Sequence, residues 1–159
     1  MRGQKKFKYY SKEAALLKAQ KYCAYQERSH SEVRNKLFEW NQKPNEAEEI
    51  ISALIERDFL NEERFARLFA GGKFRMKQWG RNKITYELKA KGVSDYCIER
   101  GLSEIDGRDY LNTLKKLVAK KKKQVKGENG FQKNAAIAKY LVGKGYEPDL
   151  VWEELKSRQ

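Results

Sequence analysis

An active site in this sequence would have to be assembled from one histidine, two cysteines and a scatter of glutamates. His30 directly follows Ser29 at what reads as the first turn of a helix, a surface place rather than a catalytic one. Cys23 and Cys97 stand 74 positions apart with no CxxC spacing, each inside an amphipathic segment. They read as reduced core thiols of a reducing compartment, with a disulfide the weaker alternative. Glu46, Glu48, Glu49, Glu62 and Glu63 fall in expected first helical turns, where the helix dipole favours acids, so a paired-carboxylate site is also the weaker reading. HExxH, GxxxxGK[ST] and GxGxxG are all absent. The pattern predicts no enzyme, no metal centre and no cofactor.

Charge carries more information. The chain has 35 basic and 22 acidic residues, a net charge of +13, which attracts nucleic acid or an acidic protein surface. From Pro44 to Arg64 there are seven acids and two basic residues; from Phe65 to Gly92 there are eight basic residues and one acid, Glu87. An acidic flank and a basic face are expected. The basic set is Arg67, Lys73, Arg75, Lys77, Arg81, Lys83, Lys89 and Lys91. A second run, KKLVAKKKKQVK from Lys115 to Lys126, carries Lys120, Lys121, Lys122 and Lys123 at its centre. It reads either as a solvated helix face or as a contact for nucleic acid or an acidic partner. Residues 1–10 hold four basic residues and no acid, a basic tail that is either disordered or a phosphate-contacting arm.

Such groups need elements to position them, and the elements are helical. With two prolines, long charged runs and 40% hydrophobic residues, the composition favours an all-α chain. No apolar run approaches the roughly 20 residues of a membrane span, and MRGQKKFKYY lacks the apolar stretch of a signal peptide, so a cytoplasmic protein is expected. Three sets keep the same i, i+4, i+8 spacing: Val33, Leu37, Asn41; Ile84, Leu88, Gly92; and Ile137, Leu141, Gly145, at offsets of 51 and 53 residues. Each reads as a short helix that stops with its next residue in the left-handed conformation. Upstream, Ser11, Asn61 and Asp106 are N-caps, followed by Ala15, Leu16 and Ala19, by Phe65, Ala66 and Phe69, and by Tyr110, Leu111 and Leu114. Downstream, Asn45 to Glu48 reads as a capping box, Ser94 as a cap, and Pro148 as a first helical residue. This predicts a tandem array of three three-helix repeats, elongated and curved: a tail at 1–10 and repeats at 11–59, 60–105 and 106–159.

The stretch QWGRNKITYELKAKG, residues 78–92, then makes sense despite its thin apolar content. Ile84 and Leu88 face inward, Trp79 anchors the start of the helix in preference to stacking on a base, and Gly80 takes the N-cap place that Ser29, of the Ser29–Glu32 box, holds one repeat earlier. The missing Cβ of Gly80 lets the preceding loop approach closely.

FLNEERFARLF from Phe59 to Phe69, the basic run KFRMKQWGRNKI and the helix ending ELKAKGV resemble the central signature of the RecX family, regulators of the RecA recombinase. The resemblance is strongest over 28–105, including HSEVRNKLFEW and EEIISALIERDFL; beyond Gly107 it rests on repeat position and length. It implies tandem three-helix repeats that bind the RecA nucleoprotein filament on single-stranded DNA, lie in its helical groove, and inhibit strand exchange, ATP hydrolysis and co-protease activity. A non-enzymatic, monomeric regulator within DNA repair, recombination and the SOS response follows as the expectation. Gly71 and Gly72 stand where similar proteins carry arginine and serine, predicting a bend or an end of that helix. Arg81 replaces a family proline, and the Lys120–Lys123 run matches no family motif. The alternative is a basic helical protein that binds nucleic acid directly, without RecA; a helix-turn-helix reader is disfavoured because Asn82 is the only obvious base-reading side chain on its helix. No membrane contact is expected.

Overall fold

A computed structural model describes residues 10–126 and 129–157; most of the basic tail lies outside the described residues. Within them the chain forms α1 (Lys12–Tyr25), α2 (His30–Glu39), α3 (Pro44–Glu56), α4 (Glu62–Lys77), α5 (Arg81–Ala90), α6 (Asp95–Leu102), α7 (Gly107–Gln124), α8 (Gly130–Gly143) and α9 (Pro148–Ser157), with no strand. They form three successive three-helix repeats.

Local chemistry sets the helix ends. Ser11, Ser29, Asn61, Ser94, Asp106 and Asn129 each accept a hydrogen bond from a backbone N–H of the helix that follows. The second helix of every repeat ends at the expected left-handed residue, Asn41 at φ 59°, Gly92 at 75° and Gly145 at 108°. Two expectations need correction. No capping box spans Asn45 to Glu48: Pro44, whose fixed φ and missing N–H suit a first helical position, moves the start upstream, and Glu46 accepts from the Lys43 N–H at 3.3 Å. Nor does the chain bend or stop at Gly71 and Gly72, because α4 is held on both sides of them by buried Phe65, Ala66, Ala70 and Phe74, and burial outweighs weak propensity. That helix ends at Gln78, left-handed at φ 56°.

The interior is divided unevenly. The first repeat has its own core of Ala15, Ala19, Cys23, Val33, Leu37, Ala47, Ile50, Ile51, Leu54 and Leu60. The second and third repeats share one, from Phe65, Ile84 and Leu88 through Tyr110, Leu114 and Val118 to Ile137, Leu141, Tyr146 and Leu155. Leu111 is the exception among the expected apolar positions, exposed on the outer side of α7. No helix among the described residues is long and apolar enough to cross a membrane.

Candidate partner-binding face

The middle repeat holds Lys73 and Lys83 over a short aromatic row. Phe65, Phe69 and Trp79 follow one another with ring centroids 5.8 and 6.3 Å apart. Lys73 lies 5.4 Å from the Phe69 ring and 5.1 Å from Trp79, and Lys83 lies 4.6 Å from Trp79. Cations over ring faces are stabilised by the ring quadrupole while their ammonium heads still meet solvent. Trp79, half-buried against the shared core, is the anchor expected of it. Beside this row an open groove of about 320 Å³ runs between the first and second repeats, lined by Phe65, Leu68 and Phe69 and by Lys73, Lys91, Glu27 and Glu32.

The predicted basic set divides by what each charge already does. Arg75 and Lys77, in the last turn of α4, and Lys89, at the end of α5, are exposed; Lys89 comes within only 3.9 Å of the still more exposed Asp95. By contrast Arg67 is held between Glu63 at 2.9 Å and Glu104 at 2.7 Å. Lys91 pairs with Glu32 of the first repeat at 3.0 Å. Arg81 pairs with Glu147 of the third repeat at 2.8 Å, its guanidinium 3.8 Å above the Tyr110 ring. In the second basic run, Lys120 and Lys123 are exposed, while Lys121 lies 3.7 Å over Tyr140 and Lys122 is half-buried.

Arg81 belongs to a joint that sequence reasoning missed: the backbone that approaches Gly80 is the turn at Gly145 and Tyr146, not the loop that precedes it. The N–H groups of Gly80 and Asn82 donate to the carbonyls of Lys144 and Gly145, each at 2.9 Å. The Tyr110 hydroxyl accepts from the Arg81 N–H at 3.0 Å and donates to the Glu147 carboxylate. Tyr146 stacks on Tyr110 at 5.1 Å and donates to the Gln78 carbonyl at 2.9 Å. Burial pushes both phenol pKa values well above the ordinary range, and Glu147 pushes them further, so both tyrosines stay neutral and hydrogen-bonding. The one trace in the sequence is the WGR triplet itself, whose arginine and glycine make sense only against the turn they meet.

The joint between the first and second repeats is polar. Ser31 donates to the Lys91 carbonyl at 2.6 Å, and Arg64 binds Glu27 at 2.5 Å and Asp58 at 3.1 Å. Burial opposes the Arg64 charge, but hydrogen bonds and attraction from Glu27 and Asp58 outweigh it and raise its pKa. His30 is half-buried in this joint, 3.9 Å from Glu62, and not at the free surface, because the second repeat covers the first turn of α2. The glutamates are likewise engaged: Glu48 with Arg34, Glu49 with Lys12 and Glu63 with Arg67. Among the described residues no three histidine, cysteine, aspartate or glutamate side chains gather as metal ligands.

Comparison with known proteins agrees with this architecture. The chain is 33% identical over 124 residues to the regulatory protein RecX of Clostridium perfringens (strain 13 / Type A), an alignment covering 77% of this chain and 58% of that protein. It is 31% identical over 141 residues to the regulatory protein RecX of Clostridium tetani (strain Massachusetts / E88), covering 87% and 62% respectively. It thus spans about three-fifths of the length of these curated relatives. The crystal structure of RecX from Lactobacillus salivarius superposes with a TM-score of 0.84 at 23% identity, over 92% of this chain and 95% of that one, which speaks to the fold alone. The family model for the second three-helix domain of RecX matches residues 61–102, over α4 to α6, and that for the third matches 108–155, over α7 to α9. Together these matches take in more than half of the sequence, and the chain belongs to the RecX family.

Proposed function

We propose that this chain is a non-enzymatic regulator that binds the RecA nucleoprotein filament on single-stranded DNA and inhibits its recombinase, ATPase and co-protease activities. The observations that carry the reading are the exposed basic side chains of the middle repeat, Arg75, Lys77 and Lys89, and the half-buried Lys73 and Lys83 over Trp79, in a chain of the RecX family. Repeats 11–59, 60–105 and 106–159 act as units along the filament, bridging or wedging protomers so that one filament state is bound better than another. The basic face meets acidic surfaces or DNA phosphates of the filament, and charge supplies register and on-rate. The protein acts as a monomer in the cytoplasm. The test is RecA ATP hydrolysis on single-stranded DNA with this protein titrated in, beside a DNA-only binding control at the same salt. Inhibition well below the amount that coats bare DNA is the expected result.

The second reading, direct nucleic-acid binding without RecA, is favoured by the third repeat. Between Tyr110 and Tyr146 the sequence carries ten lysines, Lys120 to Lys123 among them, and a single acid, Glu128. Phosphate-dominated binding of that kind weakens steeply with salt and needs no RecA, whereas filament binding requires RecA and persists better.

A further inference from the structure

The two adjacent glycines of α4 differ in what surrounds them. A Cβ on Gly71 would lie 2.8 Å from Nη1 of Arg75, so this glycine makes room for the guanidinium that lies against it. A Cβ on Gly72 would meet nothing within 4 Å. No packing within the described residues requires glycine at 72, although glycine inside a helix is less stable than alanine.

Gly72 is the middle member of a row. Leu68, Gly72 and Met76 follow at i, i+4 and i+8 and so lie one above another along the helix. Leu68 is 54% and Met76 84% exposed, and between these two bared apolar side chains the helix surface has a notch. Leu68 also lines the groove between the first and second repeats with Phe65 and Phe69, so apolar surface continues from the groove along α4. Cations stand around the notch. Lys73 lies over the Phe69 and Trp79 rings, Arg75 lies against Gly71, and Lys77 ends the helix. Among the described residues Arg75 and Lys77 pair with no carboxylate, whereas the groove's own acids, Glu27 and Glu32, are already neutralised by Arg64 and Lys91.

Phosphates would match these cations but leave Leu68 and Met76 in water. A helix carrying both acidic and apolar side chains matches both, since a side chain on one helix can enter a gap between side chains of another. We propose, resting on the reading above that the partner is the RecA filament, that this row docks an acidic amphipathic helix of RecA itself, with one large apolar side chain seated in the notch at Gly72 and carboxylates toward Lys73 and Arg75. Gly72 is then a binding residue. It gives up helix stability and lets the partner's side chain approach the α4 backbone.

Gly72→Gln tests this, because glutamine is a good helix former and its side chain fills the notch from a Cβ that meets no neighbour. The variant is expected to keep its helical circular dichroism and to bind RecA filaments on single-stranded DNA about tenfold or more weakly than the parent chain. Its binding to bare single-stranded DNA at the same salt should equal the parent's. Met76→Gln, which removes one apolar wall, should weaken filament binding in the same direction. If Gly72→Gln lowers the helical signal, Met76→Gln at its exposed position carries the test alone, and unchanged filament binding by a folded variant overturns the dock while the RecA reading stands. An equal loss of bare-DNA binding overturns it in favour of a nucleic-acid surface, and a parent chain that self-associates through this row, as sedimentation of parent and variant would show, overturns it in favour of a second copy. A parent chain that does not bind the filament removes the RecA reading and the dock together.

Discussion

A Cβ built on Gly80 would lie 2.2 Å from the carbonyl carbon of Gly145, so the backbones of the second and third repeats touch at a point that no side chain can share. The contact binds the start of α5 to the α8–α9 turn, and that turn is itself left-handed at Gly145. Two glycines 65 positions apart thus set the angle at which one repeat meets the next.

Gly80→Ala is expected to open this joint. Because backbone atoms on both sides must move, the loss should be about 3 kcal/mol, at the upper end of overpacking costs. Gly72→Ala supplies the contrast. Nothing lies within 4 Å of its added Cβ, and a mid-helix glycine costs about 1 kcal/mol relative to alanine, so that variant should gain up to this amount. Urea unfolding of the two variants checks both signs.

The division of the basic set separates binding from stability. Arg75→Glu with Lys77→Glu should weaken inhibition of RecA ATPase several-fold and leave the helical circular dichroism unchanged, since both side chains are exposed. Arg81→Ala should instead cost about 1–3 kcal/mol of stability, by leaving Glu147 and Tyr110 without their half-buried partner. Full inhibition by the double charge reversal would remove the basic face from the interaction.

At the first joint, one guanidinium carries much of the contact. Arg64→Ala strips Glu27 of its partner where one carboxylate oxygen is already buried without a hydrogen bond, and should cost about 1–3 kcal/mol. Since the two apolar cores are separate, hydrogen exchange in α1 and α2 should rise before exchange in α7 to α9.

Cys23 makes stability depend on alkaline pH. Burial pushes its thiol from the ordinary value near 9 up to about 11, so the folded chain keeps a proton that the unfolded chain releases. The resulting contribution, about 2–3 kcal/mol, is fully present below pH 9 and lost as pH rises through about 11. Cys23→Ser should flatten that part of the stability profile. At pH 8 the half-buried Cys97 should react with a thiol reagent well ahead of Cys23.

Spacing and capping within the sequence determined the helices. Val33 and Leu37, Ile84 and Leu88, and Ile137 and Leu141 are buried at 0% exposure, each pair followed by its left-handed stop, because apolar periodicity and backbone preference act within a few residues of the chain. The basic stretch was equally legible as charge. Which of its members are free to meet a partner was decided only by tertiary structure, since Arg67, Arg81 and Lys91 find carboxylates 37, 66 and 59 positions away, at Glu104, Glu147 and Glu32. The same holds for His30, covered by a repeat that its own neighbourhood does not foretell, and for α4, whose glycines lie in a helix held by burial. Local preferences are worth fractions of a kcal/mol per residue and can be read along the chain; pairing and burial between repeats are worth more, and they exist only where folding brings distant residues together.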